Sequence, residues 1–105
     1  MKKIGIIYKI TNLLNNKVYI GQTIKSIEQR FKQHCVANTV IGSAIRKHGR
    51  HNFYIEEIAS VFDLESLLAV EEELIKQHKS HVSDGGYNVS LNGIRSTKIM
   101  IKNPY

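Results

Sequence analysis

The sequence predicts an α+β domain, a small and mainly antiparallel three-stranded sheet flanked by helices. Two observations point to it. β-rich runs stand on either side of Asn15-Asn16 and again from Phe53 to Ala59, while Ser26, Thr39 and Asp63 each open a segment with a helix cap. Short connections join these runs. The 105 residues, 42% hydrophobic with a single proline, suit one compact domain with a modest core and exclude a disordered chain.

The runs Ile6–Asn12 and Lys17–Thr23 read as a β-hairpin around the Asn-Asn turn, each carrying one tyrosine. If the loop holds an even number of residues, strand partners have an odd index sum. Tyr8 and Tyr19 also sum to an odd number, so they share a sheet face. Two phenols on one face are either a stacked core pair or part of a site. Next, Ser26 and Gln29 form a capping-box pattern ahead of a helix through Val36. Ile27, Phe31 and Cys35 make its apolar stripe, and Arg30 and His34 lie one turn apart at the stripe's edge. That pair is either an ordinary boundary pair or a phosphate-facing one.

Thr39 caps a second short helix over 40–47, and Gly49 stops it. Arg46, Lys47, His48, Arg50 and His51 cluster at its end, where they either bind phosphates or complement the helix dipole. The strand Phe53–Ala59 alternates imperfectly, which a bulge or an edge position near Glu56-Glu57 would reconcile.

Asp63 caps a longer helix from Leu64 to about Lys79, with Leu64, Leu67, Leu68, Leu74 and Ile75 on one face. Glu71 sits in the middle of that stripe, while Val70 lies off its centre. A carboxylate on a core face costs several kcal/mol of desolvation unless a partner compensates. The partner is either a salt-bridging cation such as Arg30 or a metal ion. Beyond the helix, Gly85-Gly86 suit a tight turn that sets Asn88 against the sheet. His78 and His81 have ligand-like spacing but lack a third ligand, and read as surface residues. The tail over 93–105 is basic and holds Lys98; Ile99-Met100-Ile101 is a candidate extra strand.

Fifteen Lys and Arg against nine Asp and Glu give a net charge of +6, which favours nucleic acid over a membrane surface as partner. Lys17, Arg46, Lys47, His48, Arg50 and Lys98 are the candidate contacts. One cysteine, Cys35, excludes an intrachain disulfide and a cysteine-based zinc cluster, and fits a reduced compartment. No apolar run approaches membrane-spanning length and no signal sequence is evident, so a cytoplasmic protein, bacterial or phage-encoded, is expected.

Chemically, Arg30 offers a planar fork to a phosphate, His34 an imidazole that titrates near neutrality, and Glu71 a hard oxygen for Mg²⁺. A phenol such as Tyr8 is a poor base at a pKa near 10 and would need activation. The chain resembles the GIY-YIG nuclease family. The second half of that signature stands as Tyr19-Ile20-Gly21; the first appears as Ile6-Ile7-Tyr8, with Gly5 one position early. Lys47-His48-Gly49 followed by Asn52-Phe53 is similar to phage members, and Asn-Asn-Lys-Val-Tyr-Ile-Gly looks most like the homing-endonuclease branch.

The resemblance spans roughly Gly5 to Asn92, implying a nuclease domain over 1–92. It implies a catalytic set of Tyr8, Tyr19, Arg30, His34, Glu71 and Asn88. Glu71 would hold one divalent ion, Mg²⁺ with Mn²⁺ as substitute. Tyr8 would act as base or proton relay and Arg30 would stabilise the pentacovalent phosphate. Tyr19 would orient water or phosphate, with Asn88 in support. The expected activity is metal-dependent hydrolysis of duplex or single-stranded DNA; a silent nucleic-acid-binding module is the alternative. Larger relatives carry a separate DNA-binding domain for which 105 residues leave no room. A small free-standing nuclease, a homodimer, or a piece of a longer protein with a missing DNA-binding domain would each account for that.

Overall fold

A computed structural model gives the positions of residues 3–89. The tail expected over 93–105, with Lys98 and the Ile99–Ile101 segment, lies outside the described residues. The hairpin forms as β1 (Gly5–Asn12) and β2 (Val18–Thr23), and β3 (Phe53–Val61) pairs with the other side of β1. The sheet order is therefore β2-β1-β3, with both pairings antiparallel. Asn12 N–H donates to the Lys17 carbonyl at 2.9 Å to close the loop, and Asn16 takes a left-handed φ of 63° that asparagine tolerates. Tyr8 pairs with Gly21 and Ile10 with Tyr19, so the two tyrosines do share a face.

Both faces of β1 are covered. On one, Ile10, Ile41, Ile45, Phe53 and Tyr87 form a core roofed by α1 (Ile27–Val36) and α2 (Val40–His48). On the other, Ile7, Ile20 and Val61 meet Leu67 and Ile75 of α3 (Leu64–Gln77). Burial on both sides explains why Ile6-Ile7-Tyr8 reads as a continuous apolar run rather than an alternation.

β3 is an outer strand and it is bulged. Ile7 pairs with Ala59 but Tyr8 with Glu57, which leaves Ile58 as the extra residue and turns it toward the α3 core. Ser26, Thr39 and Asp63 cap their helices as expected, accepting from the backbone N–H of Gln29, Gly42 and Ser66. On α3 the buried residues are Leu67, Glu71 and Ile75. Leu64, expected on that face, is 47% exposed, because the helix meets the sheet only from Leu67, which lies against Gly5. Val70, off the stripe's centre, packs into the core.

α3 also stops two residues short of the expected end. Ser80 N–H reaches back to the Ile75 carbonyl at 3.1 Å and Lys79 N–H to that of Lys76 at 3.2 Å, a Schellman closure. Lys79 occupies its left-handed position at φ 51°, where glycine carries no Cβ penalty. Lys79→Gly is expected to raise stability by about 1 kcal/mol in urea unfolding; an unchanged or lower midpoint would contradict this reading of the cap.

Candidate active site

The hairpin supplies the floor. Tyr8 and Tyr19 stand over it with ring centroids 6.3 Å apart. A β carbon on Gly21 would collide with the Tyr8 phenol oxygen and come within 2.9 Å of Cε2 of Tyr19. Glycine at 21 is therefore what lets the Tyr8 ring lie across β2, a requirement the sequence alone did not disclose.

α1 supplies the next two groups. His34, expected at the edge of the apolar stripe, is the buried residue of the helix, at 3% exposure. The helix docks with this edge turned into the hairpin, because the imidazole finds its partner there. The phenol oxygen of Tyr8 lies 2.6 Å from His34 Nε2, and the imidazole meets both tyrosine rings edge-on, at 5.9 and 5.1 Å. Burial, with the neighbouring Arg30 charge, lowers the His34 pKa to about 4. Burial raises that of Tyr8 far above its ordinary value, Tyr19 adding to the effect and Arg30 opposing it. A neutral imidazole thus accepts from a protonated phenol, which places the ring proton on Nδ1.

That pairing has a thermodynamic signature. A histidine whose folded pKa is depressed takes up its proton more readily in the unfolded chain. Stability is then lost as pH falls from 6.5 toward about 4. The loss from His34 should reach about 3 kcal/mol. Urea unfolding at pH 7 and pH 4.5, on the wild type and on His34→Gln, checks this; an equal acid loss in both proteins contradicts it.

Arg30 is half-buried, with Nη1 donating to Gln33 Oε1 at 2.9 Å. Glu71 is fully buried, with Gln22 Nε2 approaching its Oε1 at 3.5 Å. Burial first, and then the Glu71 charge, push the Tyr19 phenol up, so the carboxylate acts on the same cluster although it belongs to α3. Tyr19, Arg30, His34, Tyr87 and Asn88 line one cavity of 230 Å³. Tyr8, which touches Tyr19 and His34 of this lining, and Glu71 have no exposed surface.

The segment after α3 closes the site along the outer edge of β2. Asn88 Oδ1 accepts from Ile20 N–H and Nδ2 donates to the Ile20 carbonyl, both at 2.8 Å. Tyr87 N–H donates to the Val18 carbonyl at 3.0 Å. Asn12, fully buried, anchors this segment from the hairpin, with Nδ2 donating to the Tyr87 hydroxyl at 2.9 Å and Oδ1 accepting from Leu14 N–H. In the sequence Asn12 is marked only as an asparagine ending a β-run at a turn.

The basic candidates separate. Lys17, Lys47 and Arg50 are exposed and His48 is half-buried. Arg46, expected to face phosphates, spends Nη1 on the carbonyls of Cys35 and Ala37 at 3.1 and 2.8 Å, tying down the end of α1. His78 caps α3, and His81 caps the turn at Val82–Asp84 by accepting from Ser83 N–H. Among the described residues no three His, Cys, Asp or Glu side chains gather as a metal cluster, and no helix is long and apolar enough to cross a membrane.

The family model of the GIY-YIG catalytic domain matches residues 4–88, and the chain belongs to that family. It is 31% identical over 106 residues to uncharacterized protein 019R of Invertebrate iridescent virus 6, covering 96% of this chain and 36% of that protein. To the putative endonuclease segB of Enterobacteria phage T4 it is 34% identical over 86 residues, 82% of this chain and 38% of the relative. The chain thus spans little more than a third of the length of these relatives. Its fold matches the catalytic domain of homing endonuclease I-TevI with a TM-score of 0.68 and 28% identity, covering 82% of this chain and 98% of that one.

Proposed function

We propose that the chain is the catalytic domain of a DNA endonuclease that hydrolyses phosphodiester bonds, with Tyr8, Tyr19, Arg30, His34, Glu71 and Asn88 as its site. The observation that carries this is the 2.6 Å contact between the Tyr8 phenol and a neutral, buried His34 beside an arginine. Endonucleases among the relatives and an endonuclease domain as the structural match support the same reading.

Tyr8 and His34 act as a couple. When the phenol oxygen takes a proton from water, its own proton passes to Nε2, so no free phenolate builds up in a site that disfavours it. Tyr8 touches Tyr19 and His34, both of which line the cavity, so these two side chains link the phenol to the substrate. Arg30 braces the phosphate as charge develops on its oxygens. Asn88 holds the β2 backbone on which Tyr19 and Gly21 ride.

A divalent ion fits the donors present. One buried carboxylate, Glu71, with no second acid in a cluster among the described residues, suits a hard ion that keeps most of its waters, Mg²⁺ or Mn²⁺, rather than zinc. Bound there, the ion would neutralise charge on the phosphate and lower the pKa of water. Lys17, Lys47, His48 and Arg50 would add salt-dependent contacts to the backbone, with Arg46 contributing what its bonds to α1 leave free. Residues 1–92 form the nuclease unit and 93–105, including Lys98, a basic extension. Beside relatives nearly three times as long, three routes to DNA remain for this domain: acting alone, as a homodimer, or with a further DNA-binding domain.

Incubating supercoiled plasmid with the protein and Mg²⁺ is expected to give nicked or linear DNA, and EDTA to prevent it. Salt-sensitive binding with no product under any metal would instead identify a silent binding module.

A further inference from the structure

The cavity lining includes more than the candidate catalytic groups. Beside Tyr19, Arg30 and His34 it holds the apolar side chains of Ala37, Val40, Ile41 and Val89. Val40 and Val89 are 43% and 64% exposed, so the apolar part of the lining reaches solvent. Resting on the nuclease reading above, we propose that this apolar part seats the base of the nucleotide next to the cleaved phosphate, turned out of its stack.

A phosphate held at Arg30 brings its neighbouring nucleoside with it, one sugar away. An aliphatic wall offers nothing to a second phosphate, whose charge would lose water there without compensation. A base is uncharged, flat and apolar on its faces, and gains from such a wall. Two exposed valines at the mouth of a charged site form an apolar patch where the substrate must arrive. Thr39, next to Val40 in the chain, adds a polar group to the same lining. Its Oγ accepts from Gly42 N–H at 3.1 Å, which leaves the hydroxyl proton for an acceptor on the base edge. A cavity of 230 Å³ takes one base and not a stacked pair, so the base enters alone. Unstacking costs least in single-stranded or frayed DNA, and those substrates should be cut fastest.

The test uses the full chain with methyl-labelled valine and two probes, thymidine 5′-monophosphate and deoxyribose 5-phosphate, followed by NMR. The nucleotide is expected to bind roughly five-fold tighter than the sugar phosphate and to shift the Val40 and Val89 methyls, an advantage set by the apolar area covered. Both probes should move the Arg30 side-chain signal. Val40→Ser and Val89→Ser, each at an exposed position and each checked for folding in the same spectra, should narrow the gap between the probes. Equal binding of the two probes, silent valine methyls beside a responding Arg30, or no binding of the nucleotide would each overturn the proposal. Plasmid cleavage measured alongside separates it from the nuclease reading. A protein that nicks plasmid without a valine response keeps the nuclease and loses the base seat; one with the valine response and no nicking does the reverse.

Discussion

Glu71→Gln is expected to lower plasmid cleavage by roughly 10³-fold while the variant stays folded. The amide keeps the shape and packing of a side chain fully buried on α3 between Leu67 and Ile75, and removes only the charge that a metal ion would use. Circular dichroism melts and a nicking time course on the same preparations give both readouts. Retained cleavage in Glu71→Gln removes the carboxylate from the chemistry; lost cleavage with a large fall in melting temperature makes it a structural partner.

Tyr8→Phe should cost roughly 10²- to 10⁴-fold in rate, the range for loss of a positioned proton-transfer group. The ring stays, so packing over Gly21 is preserved; only the oxygen 2.6 Å from His34 Nε2 is lost. The variant also leaves a buried imidazole nitrogen without its partner, which is expected to lower stability by about 1–3 kcal/mol. Measuring the rate at saturating DNA separates the two effects. A rate within a few-fold of wild type would leave Tyr8 as a packing residue and pass the proton-accepting role elsewhere.

Much of the fold was legible because local signals agreed with one another. The caps at Ser26, Thr39 and Asp63 marked the helix starts, and index parity placed Tyr8 and Tyr19 on one face before any pairing was known. Glu71 announced itself by interrupting an apolar stripe. What the sequence withheld depends on contacts between distant elements. His34 looked like a boundary residue on its own helix, and only the docking of α1 on the hairpin shows it buried against Tyr8. Arg46 looked like one more cation in a basic cluster until α2 met the end of α1. Gly21 carried no local reason to be glycine; the reason is a phenol from the neighbouring strand. The bulge was signalled by the faulty alternation of β3, but its position at Ile58 depends on how β1 pairs.

The asparagine amide that takes both backbone groups of Ile20 does the work of a neighbouring peptide bond. With the Tyr87 N–H on the Val18 carbonyl, it finishes the rim of the sheet where another protein would add a strand or expose a template for aggregation. Truncating Asn88 would therefore do more than disturb chemistry: it would uncover pairing positions that a second copy of the chain can occupy. Loss of activity in such a variant needs a sedimentation measurement beside it before being read as catalytic.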